Sequence, residues 1–293
     1  MTGRWANNEA IASRDVFEAL HSGLTVKLIS TDRNDLMTCD PGEALSDVME
    51  RNKEPYDFLP VLAAGTSGED RILGLFHAAK FFGATSLDGC VRDNFESLSE
   101  DSLIGADTSI LAFVKDADEK PCRLVVSGPK IIGLVSLSDL QKLPVRAALF
   151  ALITGFEITM AEAIKGKFGN SEDWMDCLSN GRQDKIKREI EESRRDDGFV
   201  NTLLFTQFCE KADIITKSFQ LARSKTKLRG ELNEIQKLRD KLAHANEYAA
   251  TPDHARNVCA VVRVLLALRE EIASTYASDV VHDQLNPVRT GVA

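Results

Sequence analysis

The chain has 293 residues, 43% hydrophobic and 28% charged, with a formal net charge of −9, the composition of a globular chain long enough for two domains. Residues 1–144 hold 14 Lys+Arg against 23 Asp+Glu, while 145–293 hold 22 of each, so the acidic front half is a poor general nucleic-acid surface. "MTGRWANNEA" lacks the apolar stretch of a signal peptide, the run Ala147–Phe156 is too short to span a bilayer, and the six cysteines form no CxxC; these features predict a cytoplasmic protein with reduced thiols and no membrane partner.

Up to about residue 144, short helical patterns alternate with β-rich runs. "GEALSDVMERN" (42–52) reads as a helix, and "LPVLAA" (59–64) and "RILGLF" (71–76) as strands around a Gly/Ser turn. "TSILAFVKDA" (108–117) reads as the next helix, followed by "RLVVSG" (123–128) and "KIIGLVS" (130–136) around Gly128-Pro129. The order helix–strand–strand–helix thus occurs twice, roughly 60 residues apart, an internal repeat over about 22–83 and 98–144. From Val145 the strands vanish. Leu149, Leu152, Ile153, Phe156, Met160 and Ile164 form a helical stripe. Further helices are expected at about 183–195, 200–221, 226–247 and 253–277, with turns at "SNG" (179–181) and "DDG" (196–198).

The segment "IIGLVSLSDL" carries an apolar strand, Gly133, two apolar residues, Ser136, two more residues and Asp139. On this segment and the duplication around it, the front half resembles a tandem pair of cystathionine β-synthase (CBS) domains. The resemblance implies an adenine-nucleotide ligand: AMP, ATP, a cyclic nucleotide or S-adenosylmethionine. Ser136 and the adjacent helix start suit phosphate, and Asp139 suits ribose hydroxyls. By the same resemblance, Asp107 and Thr108 line that pocket. The first repeat, "ILGLFHAAKF", keeps Gly74 but has His77 and Lys80 at the Ser and Asp positions. Lysine accepts no hydrogen bond, so one competent site per pair is expected.

In the back half, "LRDKLAHANEYA" places Arg239 five residues before His244, with Asp240 between them. On an ideal helix the two side chains point about 140° apart, so they converge only near a helix end or across a two-fold dimer. There the chain resembles the HEPN superfamily, helical bundles with Arg-x(4–6)-His. The resemblance implies a metal-independent endoribonuclease formed across a homodimer, with RNA as substrate and no catalytic cofactor. Arg239 would stabilise transition-state charge and His244 would act as general acid or base. Asp240 would orient His244 or weaken phosphate binding. Asn246 stands where one subgroup has a modifiable tyrosine, so that regulation is not expected. A non-catalytic nucleotide-sensing interaction or dimerisation module is the alternative. The expected fold is α+β: a CBS pair over 1–144, an all-α HEPN-like bundle over 145–280 and a flexible tail over 281–293.

Overall fold

The computed structural model describes residues 22–65, 70–169, 171–195 and 202–285. These divide into two compact units after Val145. The expected turn at 196–198 and positions 286–293 of the expected tail lie outside the described residues.

The unit Ser22–Val145 contains β1 (Thr31–Asp32), α1 (Leu45–Arg51), β2 (Phe58–Ala63), β3 (Arg71–His77), β4 (Phe95–Ser97), β5 (Leu103–Gly105), α2 (Ile110–Asp116), β6 (Cys122–Ser127) and β7 (Lys130–Ser136). Both helices are shorter than their sequence patterns. Asp40 accepts from the Gly42 N–H at 2.7 Å, which ties residues before α1 into a turn. The Ser109 hydroxyl caps α2 by accepting from Ala112 N.

The strands form two sheets, β2-β3-β4 and β1-β7-β6-β5. In the first hairpin Phe58 opposes His77 and Val61 opposes Gly74; in the second Cys122 opposes Ser136 and Val125 opposes Gly133. The edge strands are exchanged. β1, near the start of the first repeat, pairs with β7 of the second, and β4, which leads into the second repeat, pairs with β3 of the first. Neither pairing was foreseen from the sequence. Each passes over a glycine. A Cβ at Gly74 would collide with the carbonyl oxygen of Glu96, and one at Gly133 with that of Thr31. Ile72, Leu75, Cys122, Leu124 and Leu134 from both hairpins pack together, and Leu45, Val48, Leu59, Val61 and Phe76 form a second cluster that includes α1.

The repeats end differently from the expected closing helices. β3 runs into a single 3-10 turn, Ala78–Phe81, and His77 gives it no side-chain cap. β7 runs into the 3-10 helix Leu137–Gln141, capped by Ser136.

From Arg146 the described residues of the second unit hold helices and no strand: α3 (Leu143–Phe168, starting just before it), α4 (Asn180–Arg195), α5 (Phe208–Ser218), α6 (Lys225–Ala243) and α7 (Pro252–Leu285), with 3-10 turns at Asp173–Cys177 and Thr202–Phe205. The whole stripe Leu149, Leu152, Ile153, Phe156, Met160 and Ile164 is buried. Three boundaries differ from expectation. The helix expected over 200–221 is broken before Phe208, where Gln207 and Glu210 form a reciprocal cap. α6 ends at Ala243 rather than near 247. α7 continues through the first residues of the expected tail to Leu285. By length and composition α3 is apolar enough to cross a membrane, and 44% of its most apolar window is buried inside the molecule; the ten-residue run read from the sequence is only part of it.

Gly133→Ala forces β1 away from β7. A cost of about 1–3 kcal/mol is expected, as for overpacked sites. Urea unfolding of the chain checks this, and an unchanged midpoint would show that the strand exchange tolerates a side chain.

Candidate functional site

Two regions contain the residues singled out by the sequence. In the first, β7 delivers Ser136 to its C-terminal end and the chain turns at once. The Ser136 N–H donates to Asp139 Oδ2 at 2.6 Å and its hydroxyl to the same atom at 3.3 Å. The Ser136 and Ser138 hydroxyls lie 2.8 Å apart. Asp139 Oδ1 pairs with Lys142 Nζ at 2.7 Å, and that ammonium also donates to Ile29 O at 2.5 Å. Asp139 is only 6% exposed. Its carboxylate is therefore both a helix cap and a counter-ion. Each oxygen retains lone-pair capacity, so a ribose hydroxyl can share it but cannot have it alone.

Cys122, opposite Ser136, is buried, and burial first, then the charges of Asp139 and Asp57, pushes its thiol up. Asp57 stands at the entrance to β2, so residues from both repeats influence this spot. At the matching position of the first hairpin, the rings of Phe58 and His77 stack at 4.2 Å. Burial lowers the His77 pKa, with Lys80 adding to the effect, and Lys80 itself pairs with Glu96 at 3.2 Å. The side chains at the Ser and Asp positions of the first repeat are thus engaged with neighbours. Asp57 and Phe58 were missed from the sequence. The signal for them was positional: Phe58 opens β2 as Cys122 opens β6, and Asp57 directly precedes it.

Asp107 and Thr108 are not brought to Ser136. β5 runs parallel to β6, so its end lies at the hairpin end, where Ala106 N donates to Val126 O at 2.8 Å. β7 is antiparallel and returns Ser136 to Cys122 at the other end. Four residues of strand separate the two ends, about 13 Å. The shared pocket expected for these residues is corrected by strand polarity. Gly133 serves the close passage of β1.

The second region is the end of α6. Asn246 N donates to Lys241 O at 2.9 Å and Ala245 N to Leu242 O at 3.4 Å, the paired bonds of a Schellman motif. His244 is the C-cap and its side chain is exposed. Ala245 adopts φ 54°, a left-handed conformation without glycine. Arg146 from α3 donates to Lys241 O, Leu242 O and Asn246 O at 3.3, 3.0 and 2.7 Å, and its guanidinium lies 4.9 Å from the centre of the Tyr248 ring.

Arg239 and Asp240 are together: Arg239 Nη1 lies 3.3 Å from Asp240 Oδ1. The Asp240 carboxylate thus meets Arg239, while the Asp240 carbonyl accepts from the His244 N–H; the expected Asp240–His244 side-chain orientation is replaced by this arrangement. Arg239 Nε also faces Glu157 Oε2 on α3 at 4.0 Å. Glu157 Oε1 holds Lys211 Nζ of α5 at 3.1 Å. Arg146, Glu157 and Lys211 were missed, because nothing local in the sequence links them to Arg239.

No family model matches the sequence, and no curated protein does. Similar solved structures include the CBS domain of the bacterial CNNM/CorC family Mg2+ transporter in complex with ATP, with 18% identity over 44% of this chain and 92% of that one and a TM-score of 0.35. A hemolysin-like protein containing a CBS domain from Oenococcus oeni shows 14% identity over 43% of this chain and 93% of that one, TM-score 0.34. A CBS domain-containing protein of unknown function from Bacillus anthracis shows 15% over 43% and 96%, TM-score 0.36. At these scores the likeness says nothing of this chain's ligands.

Ala245→Gly removes the left-handed penalty of about 1–2 kcal/mol, offset by the greater freedom of glycine when unfolded, about 0.5–1 kcal/mol. The variant is expected to unfold at a higher urea concentration than the wild type. A lower midpoint would mean that the turn is not as described.

Proposed function

We propose that the Ser22–Val145 unit binds one adenine nucleotide at the Ser136 turn and that this ligand regulates the helical unit. The supporting observation is the convergence of the Ser136 hydroxyl, the Ser138 hydroxyl and the Asp139 carboxylate within one capped turn, a set with both donors and acceptors for phosphate and ribose. AMP, ATP, a cyclic nucleotide and S-adenosylmethionine all offer that chemistry. Calorimetry with each identifies the ligand. Ser136→Ala removes a hydroxyl but leaves the Ser136 N–H bond to Asp139, so binding weakens by about two- to tenfold, the worth of one hydrogen bond of roughly 0.5–1.5 kcal/mol. Asp139→Ala also removes the cap and loses more. Undiminished affinity in both variants would rule out this pocket.

For the helical unit we propose metal-independent RNA cleavage by Arg239 and His244, contributed across a homodimer of a cytoplasmic protein. The favouring observation is that both side chains reach the surface near one helix end, with Arg239 39% exposed and His244 exposed, while their helical angles differ by about 140°. A second copy supplies the missing partner for each. Arg239 stabilises the phosphate as charge develops, and His244 takes the proton from the attacking 2′-hydroxyl or gives one to the leaving 5′-oxygen. The products are then a 2′,3′-cyclic phosphate and a 5′-hydroxyl. Cleavage of an RNA panel is expected to survive EDTA, to change with adenine nucleotide, and to fall by about 10²–10⁴-fold in His244→Ala. Equal cleavage by wild type, Arg239→Ala and His244→Ala points to another site. No cleavage under any condition leaves the second reading, a non-catalytic nucleotide-sensing interaction module.

A further inference from the structure

We infer that helix α3 positions the Arg239–His244 pair through two side chains, Arg146 and Glu157, an inference that rests on the ribonuclease reading for its meaning but on helix contacts for its geometry. Eleven residues separate Arg146 from Glu157. Eleven helical steps are three turns within about 20°, so the two side chains leave the same face of α3. One holds the turn that carries His244; the other faces Arg239.

The end of α6 needs holding. Helix ends leave carbonyls without partners, the last turn is the negative end of the helix, and Ala245 sits in a conformation that a residue with a Cβ resists. Arg146 answers the first two directly, donating to three carbonyls of the turn and bringing positive charge to that end, and its bonds on either side of Ala245 tie down the strained residue between them. Its fork reaches Lys241, Leu242 and Asn246 at once, which the single ammonium of lysine does less well. Tyr248, 4% exposed, backs the guanidinium. Burial pushes the Tyr248 hydroxyl up to about 12, so the ring stays neutral. His244, the cap residue of this turn, takes its backbone position from it.

Glu157 is itself fixed. Lys211 Nζ is buried, donates to Thr206 O at 2.5 Å, and pairs with Glu157 Oε1. The second Glu157 oxygen is directed at Arg239 Nε, and Asp240 takes the Nη1 side. Two carboxylates thus orient the guanidinium from two edges, and Nη2 is the edge through which it meets a phosphate. In this role Arg146 and Glu157 are positioning residues; neither touches substrate.

The test uses the full chain carrying Arg146→Gln, Arg146→Lys or Glu157→Gln, each checked for helical content. Where Glu157→Gln fails to fold, adding Lys211→Met removes the stranded buried ammonium. In Arg146→Gln the amides of Ala245–Tyr248 are expected to exchange at least about tenfold faster, and kcat to fall about tenfold or more with KM little changed, because small misplacements of reacting groups cost up to about 10²-fold. Arg146→Lys recovers part of the rate. In Glu157→Gln the Arg239 Nε–H resonance, assigned by its loss in Arg239→Lys, shifts, and kcat falls by a similar factor. A lowered melting temperature with kcat, exchange and resonance all unchanged overturns the inference and leaves the ribonuclease reading intact. A wild type that cleaves nothing removes the ribonuclease reading alone. Exchange and resonance then decide: unchanged values overturn the positioning contacts, and altered values uphold them.

Discussion

The exchange of edge strands is the constraint on which the Ser22–Val145 unit depends. A hairpin alone exposes two edges with unpaired N–H and C=O groups and does not persist in water. Here each repeat lends its leading strand to the other: β1 closes one edge beside β7, and β4 closes one beside β3. Neither repeat has a complete sheet by itself. The exchange also fixes where side chains are forbidden, since the lent strand crosses at Gly74 and Gly133. The glycine in "IIGLVSLSDL" is thus explained by backbone packing, without any ligand.

The same accounting of backbone groups separates the two repeat ends. A chain leaving a strand for a 3-10 turn has amide groups to satisfy. At Ser136 the serine–aspartate pair satisfies them and leaves hydroxyls at a half-buried position. At His77 no side chain does so, and the ring stacks on Phe58 instead. One duplicated framework therefore ends in two chemically different turns. The residue types that suit a ligand at Ser136 are also those that cap the turn, so the same serine–aspartate pair serves the fold before any ligand arrives.

How much was legible follows from which interactions are local. The strands around Gly128-Pro129 and the buried stripe of α3 could be read because periodicity along the chain reports burial directly. Thr31–Asp32 was not read as a strand because two residues have no period, and their partner lies about a hundred positions away. Asp107 was misplaced for a related reason: composition marks a strand but not whether its neighbour runs parallel, and that direction decides which end of the sheet a loop reaches. The break before Phe208 was in principle legible, since Gln207 and Glu210 have the spacing of a reciprocal cap, but the apolar run across it suggested continuity. Arg239, Asp240 and His244 could be named only through a family resemblance, since an arginine five residues before a histidine is common by chance. Their surroundings could not, because Glu157, Lys211 and Arg146 meet them only after the helices pack.

Those surroundings change what Arg239 can do. Burying a lysine costs free energy unless a carboxylate stays beside it, and Lys211, with 6% of its side chain exposed, has Glu157 at 3.1 Å. Removing one partner of such a pair costs about 3–5 kcal/mol, so Glu157 is held in place by Lys211 before Arg239 is considered. The longer 4.0 Å approach of Arg239 is then the adjustable member of the triad. Its guanidinium is half-exposed, where an ion pair contributes about 0–1 kcal/mol. In the proposed ribonuclease, an incoming phosphate would then draw Arg239 toward itself at small cost while the Lys211–Glu157 pair stays intact. Had Glu157 only Arg239 as partner, the same movement would strand its charge in a partly buried position; with Lys211 in place, Glu157 sets the direction of the guanidinium without fixing its distance.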